Sequence, residues 1–205
     1  MKSVHIALIR HSVTEWNAVN RIQGHFDSPL TDHGRQLAAS WIETIKPESF
    51  DAVITSDLGR AIETAEIITE GLNLPTLRLK DLREQDWGKW SGLTLEELNE
   101  KFPGMLDEEI SKGWDFCPPN GENRRITSAR GIDALIHGAG KVAEMVDKKH
   151  PKVLAVAHEG VLKTVIYKLA GHDFMDDKPK LVKRRRLHWL KYDGNLSIER
   201  LNDIL

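Results

Sequence analysis

Three apolar runs in this chain end in a cation or an imidazole. HIALI, residues 5–9, leads directly into Arg10 and His11; AVITS, 52–56, is followed by Arg60; VLAVA, 153–157, leads into His158. Guanidinium and imidazole groups are costly to bury unpaired, so such a set belongs in water at a rim or against an anion. Two guanidiniums and two imidazoles gathered at one place suit a phosphoryl dianion, for which Arg supplies bidentate donors. A helix that starts after His158 would add its N-terminus. A neutral imidazole can attack phosphorus and form a phosphohistidine, which splits one displacement into two. Neighbouring cations then neutralise the equatorial oxygens. A proton must also reach the leaving alkoxide and later leave the attacking water. The stretch LREQDWGKW, 82–90, offers Glu84 and Asp86 for that work.

The elements that must position these groups follow from periodicity. HIALI, DAVITS (51–56), TLRL (76–79) and KVLAVAH (152–158) are short apolar runs of strand length. A helix is expected from Thr31, a suitable N-cap, with Leu37, Ala38, Trp41 and Ile45 on one face and Pro47 at its end. The segment after residue 56 places Ala61, Ala65, Ile68 and Leu72 along one side of a second helix. EGVLKTVIYKLAG, closed by Gly171, does the same with Val161, Leu162, Val165, Ile166 and Leu169. Residues 127–150 have helical spacing weakened by Gly131, Gly138 and Gly140. RLHWLKY and LSIERL form a hairpin about Asp193-Gly194. Alternating strands and helices predict an α/β fold: three layers, α/β/α, around a mostly parallel sheet. Ligands of such sheets bind beyond the carboxyl ends of the strands, where Arg10, His11, Arg60 and His158 would meet. Residues 82–126 are rich in Trp, Gly, Pro and acids, with a capping box at Thr94 and Glu97. They read as an insertion covering that end of the sheet, within one domain spanning 1–205.

Bulk composition narrows the function classes. The chain has 205 residues, 40% hydrophobic and 29% charged, with a net charge of −2. That balance gives no general attraction to nucleic acid or to an anionic membrane surface. The one cysteine, Cys117, forbids an intrachain disulfide and suits a reducing compartment. The apolar run at the N-terminus is too short for a signal peptide and is interrupted by His5 and Arg10, so a cytoplasmic location is expected. The remaining histidines share no metal spacing, and HEGVL is not HExxH, so no metal is expected. The basic run KPKLVKRRR, 178–186, reads as a solvated loop before a strand or as a rim that draws anions to the site.

Five ordered motifs together resemble the histidine phosphatase superfamily, the phosphoglycerate mutase-like family. LIRHSVTEWN is similar to its RHG-x-T-x-x-N opening, and RIQGHFDSPLTDHG to its R-x-Q-G-x-x-D-x-P-L-T-x-x-G stretch. TSDLGRAIETAE, LREQDWGKWSG and AVAHEGVLK follow in the family's order. The resemblance is dense over about the first half and returns at PPNGEN and His158. It implies that His11 is the nucleophile, that Arg10, Arg60 and His158 hold the phosphoryl group, and that Glu84 is the acid and base. It also implies that Asn17, Arg21 and Gln23 lie near the phosphate. Ser12 replaces the motif glycine, Ser91 stands where Glu usually precedes Gly92, and Glu159 places a carboxylate beside the pocket.

The implied activity is metal-independent hydrolysis of a small phosphorylated metabolite, without a cofactor. A bisphosphoglycerate-dependent phosphoglycerate mutase is the alternative, and a phospholigand-binding protein with little catalysis is a third reading. RIQGHFDSPLT resembles the phosphatase-type loop, and the short cover admits water. No nucleic-acid or membrane partner is expected, and the oligomeric state, a homodimer included, stays open.

Overall fold

The computed structural model describes residues 2–175 and 177–205. Six strands form one sheet: β1 (Val4–Arg10), β2 (Ala52–Thr55), β3 (Thr76–Arg78), β4 (Lys152–Ala157), β5 (Arg186–Tyr192) and β6 (Leu196–Ile204). Their order is β3-β2-β4-β1-β5-β6. β3, β2, β4 and β1 pair in parallel, while β5 runs antiparallel to both β1 and β6. The helices are α1 (Glu15–Ala18), α2 (Asp32–Ser40), α3 (Ile42–Ile45), α4 (Gly59–Ile68), α5 (Leu95–Lys101), α6 (Met105–Ser111), α7 (Arg124–Met145) and α8 (Glu159–Leu169).

Period-two alternation divides β1 between two cores. Val4, Ile6 and Leu8 pack with α7 and α8 through Leu135, Ala139, Val161 and Val165. Ala7 and Ile9 pack on the other face with Ala38, Trp41, Ala61 and Ala65 from the α2–α4 side. The sheet is thus covered on both faces, which is why its inner strands read as continuous apolar runs rather than alternating ones. The three-layer expectation holds.

Three local expectations are corrected. The helix begun by Thr31 is not continuous. It ends at Ser40 and resumes as α3 after Trp41, whose N–H reaches back to the Ala38 carbonyl at 3.1 Å. α4 ends at Ile68, so Leu72 lies beyond it and only Ala61, Ala65 and Ile68 are buried on its face. α7 is an unbroken 22-residue helix despite its glycines. Gly138 sits where a Cβ would come within 2.6 Å of Ile54 Cδ1, so its small size lets the helix lie close on β2. Packing outweighs the propensity cost of about 1 kcal/mol for a helical glycine.

The cover contains a third core of Trp90, Leu98 and Phe116, fully buried, with Trp87, Leu106 and Ile110 around it. Its α5 carries the expected Thr94–Glu97 capping box. No helix among the described residues is long and apolar enough to cross a membrane.

Candidate active site

Parallel pairing in register sets Arg10 opposite Ala157, so the residues that follow β1 and β4 emerge side by side. The His11 N–H donates to the Ala157 carbonyl at 2.9 Å, and the rings of His11 and His158 lie 5.1 Å apart. Both imidazoles are buried, at 5% and 0% exposure. His11 Nδ1 lies 2.7 Å from the Ser12 carbonyl oxygen, which can only accept. That bond fixes the proton on Nδ1 and leaves the lone pair on Nε2. Burial, followed by the charges of Arg10 and Arg60, holds the His11 pKa well below the ordinary 6.5. His158 is held low in the same direction, first by burial and then by Arg60.

Arg60 is the second residue of α4, closer to the helix start than its sequence context suggested. It is 1% exposed, and the loop 24–27 fixes its guanidinium. Nη1 donates to the Phe26 carbonyl at 2.7 Å and to Asp27 Oδ1 at 3.2 Å, and Nη2 donates to the Gly24 carbonyl at 2.9 Å. Asp27 also accepts from the Gly59 N–H. Ser56 is spent on structure, its Oγ accepting the Leu58 N–H at 3.3 Å. The Nε atoms of Arg10 and Arg60, both ring nitrogens of His158, and Gln23 Oε1 are buried without a hydrogen-bond partner among the described residues. Such groups are rarely left so, and an oxyanion between the two arginines would satisfy the donors.

Glu84 stands at the boundary between sheet and cover. Its Oε1 accepts the Gln85 N–H at 2.8 Å and the Gly160 N–H at 2.9 Å, so the carboxylate caps the start of α8. A Cβ on residue 160 would collide with that carboxylate oxygen. Arg130, from α7, ties the Glu84 loop down through the carbonyls of Asp81, Arg83 and Glu84 at 2.6–2.9 Å. Glu122 holds the other side of that guanidinium at 2.7 Å. Asp86 instead accepts the Gly88 N–H at 2.8 Å and closes a turn, which separates it from Glu84.

Asn17, Arg21 and Gln23 all line the same cavity as Arg10, His11, Arg60 and Glu84. Each is also tied locally. Asn17 Oδ1 caps the Thr14 N–H at 3.3 Å, Arg21 pairs with Glu97 at 3.2 Å, and Gln23 donates to Thr14 Oγ1 at 2.9 Å. The cavity, about 370 Å³, continues under the cover between Trp87, Leu106, Ile110 and Phe116. Arg124 borders it too, with its guanidinium 4.4 Å from the ring centroids of both Phe116 and Phe174. Of the cover's tryptophans, Trp87, Trp90 and Trp114, only Trp87 lines the cavity. Trp90 is fully buried, and Trp114 donates to the His172 carbonyl at 2.8 Å and packs on Phe174.

The departures from the family pattern have physical accounts, except one. Ser12 keeps an ordinary negative φ, and its Oγ donates to the Gly34 carbonyl at 2.7 Å. Glu159 faces three cations: Arg10 at 2.8 Å, Lys163 at 2.6 Å and Arg184 at 3.0 Å. Burial pushes its carboxyl upward, but Arg10 and Lys163 outweigh that and hold it at about 2. Nothing in the structure explains Ser91, whose Oγ is buried without a partner among the described residues. The run 178–186 is a largely exposed loop leading into β5, and its Arg184 borders the cavity. Sequence reasoning missed Asp27, Glu122 and Arg130.

Comparison with known proteins gives the family of the chain. The chain is 35% identical over 168 residues to the uncharacterized phosphatase PhoE of Bacillus subtilis, covering 82% of this chain and 78% of that one. It is 37% identical over 136 residues to the probable phosphoglycerate mutase GpmB of Cronobacter sakazakii, covering 66% of this chain and 61% of that protein. The solved structure of Bacillus stearothermophilus YhfR superposes with a TM-score of 0.85 at 29% identity, over 98% of each chain. The family model of the histidine phosphatase superfamily (branch 1) matches residues 6–204, and the chain belongs to that superfamily.

Proposed function

We propose that the protein is a metal-independent phosphomonoesterase working through a phosphorylated His11. The observation that carries this reading is the His11 Nδ1 bond to the Ser12 carbonyl, which leaves Nε2 as a neutral nucleophile in the field of the buried Arg60 and the partly buried Arg10. In the first step Nε2 attacks phosphorus and the bond to the ester oxygen breaks, with Glu84, as the acid, giving the alkoxide its proton. Arg10, Arg60 and His158 hold the phosphoryl oxygens as charge develops on them. In the second step Glu84, now the base, takes a proton from water, whose oxygen attacks phosphorus and releases His11. Asn17, Arg21 and Gln23 border the phosphoryl position and complete its polar wall.

The test is phosphate release from a panel of phosphomonoesters in the presence of EDTA, with the unaltered chain and His11→Ala. The expected result is release that resists EDTA and falls more than about a thousandfold in His11→Ala. The resemblance to GpmB favours one second reading, a mutase. Primer-dependent isomerisation of 3-phosphoglycerate without net phosphate release would select it. Binding of phosphomonoesters without either reaction would make the chain a phospholigand-binding protein.

A further inference from the structure

A second cavity, of about 190 Å³, opens beside His11. It shares Arg10, His11, Asn17 and Arg184 with the first but takes no residue from the cover. Leu37 and Trp41 form its apolar side, and Arg184, Arg185 and Arg186 its basic side; no Asp or Glu among the described residues lines it. The three arginines are consecutive, and among the described residues only Arg184 has a carboxylate partner, Glu159. The guanidiniums of Arg185 and Arg186 make no hydrogen bond or ion pair among the described residues. Arg185 also holds a left-handed backbone, φ +56°, which is unfavourable for a residue other than glycine. Neighbouring like charges and a strained backbone both oppose this arrangement, and such costs concentrate where a ligand is held. Arg10, His11, Asn17 and Arg184 border both cavities, so an anion in the second would share these residues with the first.

We propose that this cavity is a second oxyanion subsite, which receives a further phosphate of a multiply phosphorylated substrate. The proposal rests on the phosphoryl reading for the first site. Arg184, Arg185 and Arg186 supply charge-assisted donors of the kind that tetrahedral oxyanions take. The site suits a small anion by its volume, and its exposure makes the attraction sensitive to salt.

The experiment measures, by calorimetry, the binding of butane-1,4-diol monophosphate and bisphosphate to the His11→Ala chain. The Arg185→Asn/Arg186→Gln double variant is compared on the same background; Asn suits the left-handed position, so the backbone is kept. The bisphosphate is expected to bind about tenfold more tightly than the monophosphate. In the double variant that preference falls to the factor of about two that two equivalent phosphates give statistically. The same modest ratio in both proteins, with no sulfate bound beside saturating monophosphate, overturns the subsite. A sulfate that binds beside saturating monophosphate, and is lost in the double variant, identifies a free oxyanion as the occupant rather than a substrate group. Failure of the unaltered chain to release phosphate from these esters and from every ester of the panel above would defeat the phosphatase reading, and the binding ratio would still judge the subsite.

Discussion

The end of the sheet and the cover meet in one cavity but are built differently. At the sheet end, Arg10, His11 and His158 emerge from adjacent parallel strands, and Arg60 follows from the next strand. His11, His158 and Arg60 are buried, and Arg10 is held by the Glu159 carboxylate. Under the cover, the wall is Trp87, Leu106, Ile110 and Phe116, packed around a small aromatic core on short helices and turns. The first region can set the geometry of a phosphoryl group closely. The second offers shape and apolar surface to whatever the phosphate is attached to. On the proposed reading, the difference teaches that a chain can separate its reaction from its choice of substrate, with the reaction assigned to the sheet end and the choice to an insertion.

Glu84, at the boundary, gives the sharpest way to test that division. Glu84→Gln keeps the side-chain shape and its acceptor for the Gly160 N–H but removes the proton carrier. Turnover is expected to fall about a hundredfold to ten-thousandfold for esters of poor leaving groups. The loss should be much smaller for p-nitrophenyl phosphate, whose leaving group needs no proton, when the first step is read by a burst. Equal loss of that burst for both esters would remove Glu84 as the acid.

On the sheet side, Asp27→Asn keeps the loop but removes the charge facing Arg60, whose other anchors are carbonyls. A fall of about ten- to a hundredfold in kcat/KM is expected, because small misplacements of a positioning group cost that much. An unchanged value would mean that the Gly24 and Phe26 carbonyls alone fix the guanidinium.

The pH profile tests the sheet end as a unit. His11 must be neutral to attack, and its pKa lies below 6.5 because of burial and the charges of Arg10 and Arg60. Full reactivity at this group therefore persists as pH falls past 6.5 and is lost only at lower pH, about tenfold per unit below the folded pKa. Arg10→Gln, which removes one of the lowering charges, should move the acid limb of kcat/KM upward. An acid limb that stays in place would mean that the limb belongs to another group.

The smallest expected effect belongs to the cover. Trp87→Ala enlarges the wall and should change kcat/KM by about tenfold or less, with the change differing from ester to ester. A uniform loss across all esters would show that the cover also shapes the reacting end, and the division drawn above would fail.

The sheet end was legible in the sequence because its signals are local. Apolar runs of strand length lead straight into Arg10-His11 and His158, and parallel topology forces those ends together. The cover was legible only as an insertion. Trp87 and Trp90 share composition and neighbours, yet one faces the cavity and the other is fully buried. Side-chain direction there depends on turns at Gly88 and on packing with Phe116, which no periodicity announces. Asp27 and Arg130 were illegible for a related reason. Each works through a partner far along the chain, 33 residues away for Asp27 and Arg60 and 46 for Arg130 and Glu84. Asp27 fills a motif position without announcing its partner, and Arg130 looks like an ordinary solvated charge in sequence. Gly131 and Gly138 of α7 misled in the opposite direction, since they read as helix breakers and are contact points.

The hydrogen bond from the His11 N–H to the Ala157 carbonyl carries one more consequence. The ladder between β1 and β4 does not stop at the strand ends; it includes the residue expected to carry the phosphoryl group. That amide therefore opens with the central sheet rather than with the loops, and it should rank among the slowest to exchange with deuterium. The backbone order that a substrate would otherwise have to impose is already part of the folded state. On heating, the site and the sheet should be lost in one cooperative step, with no temperature range in which a folded chain has a disordered nucleophile.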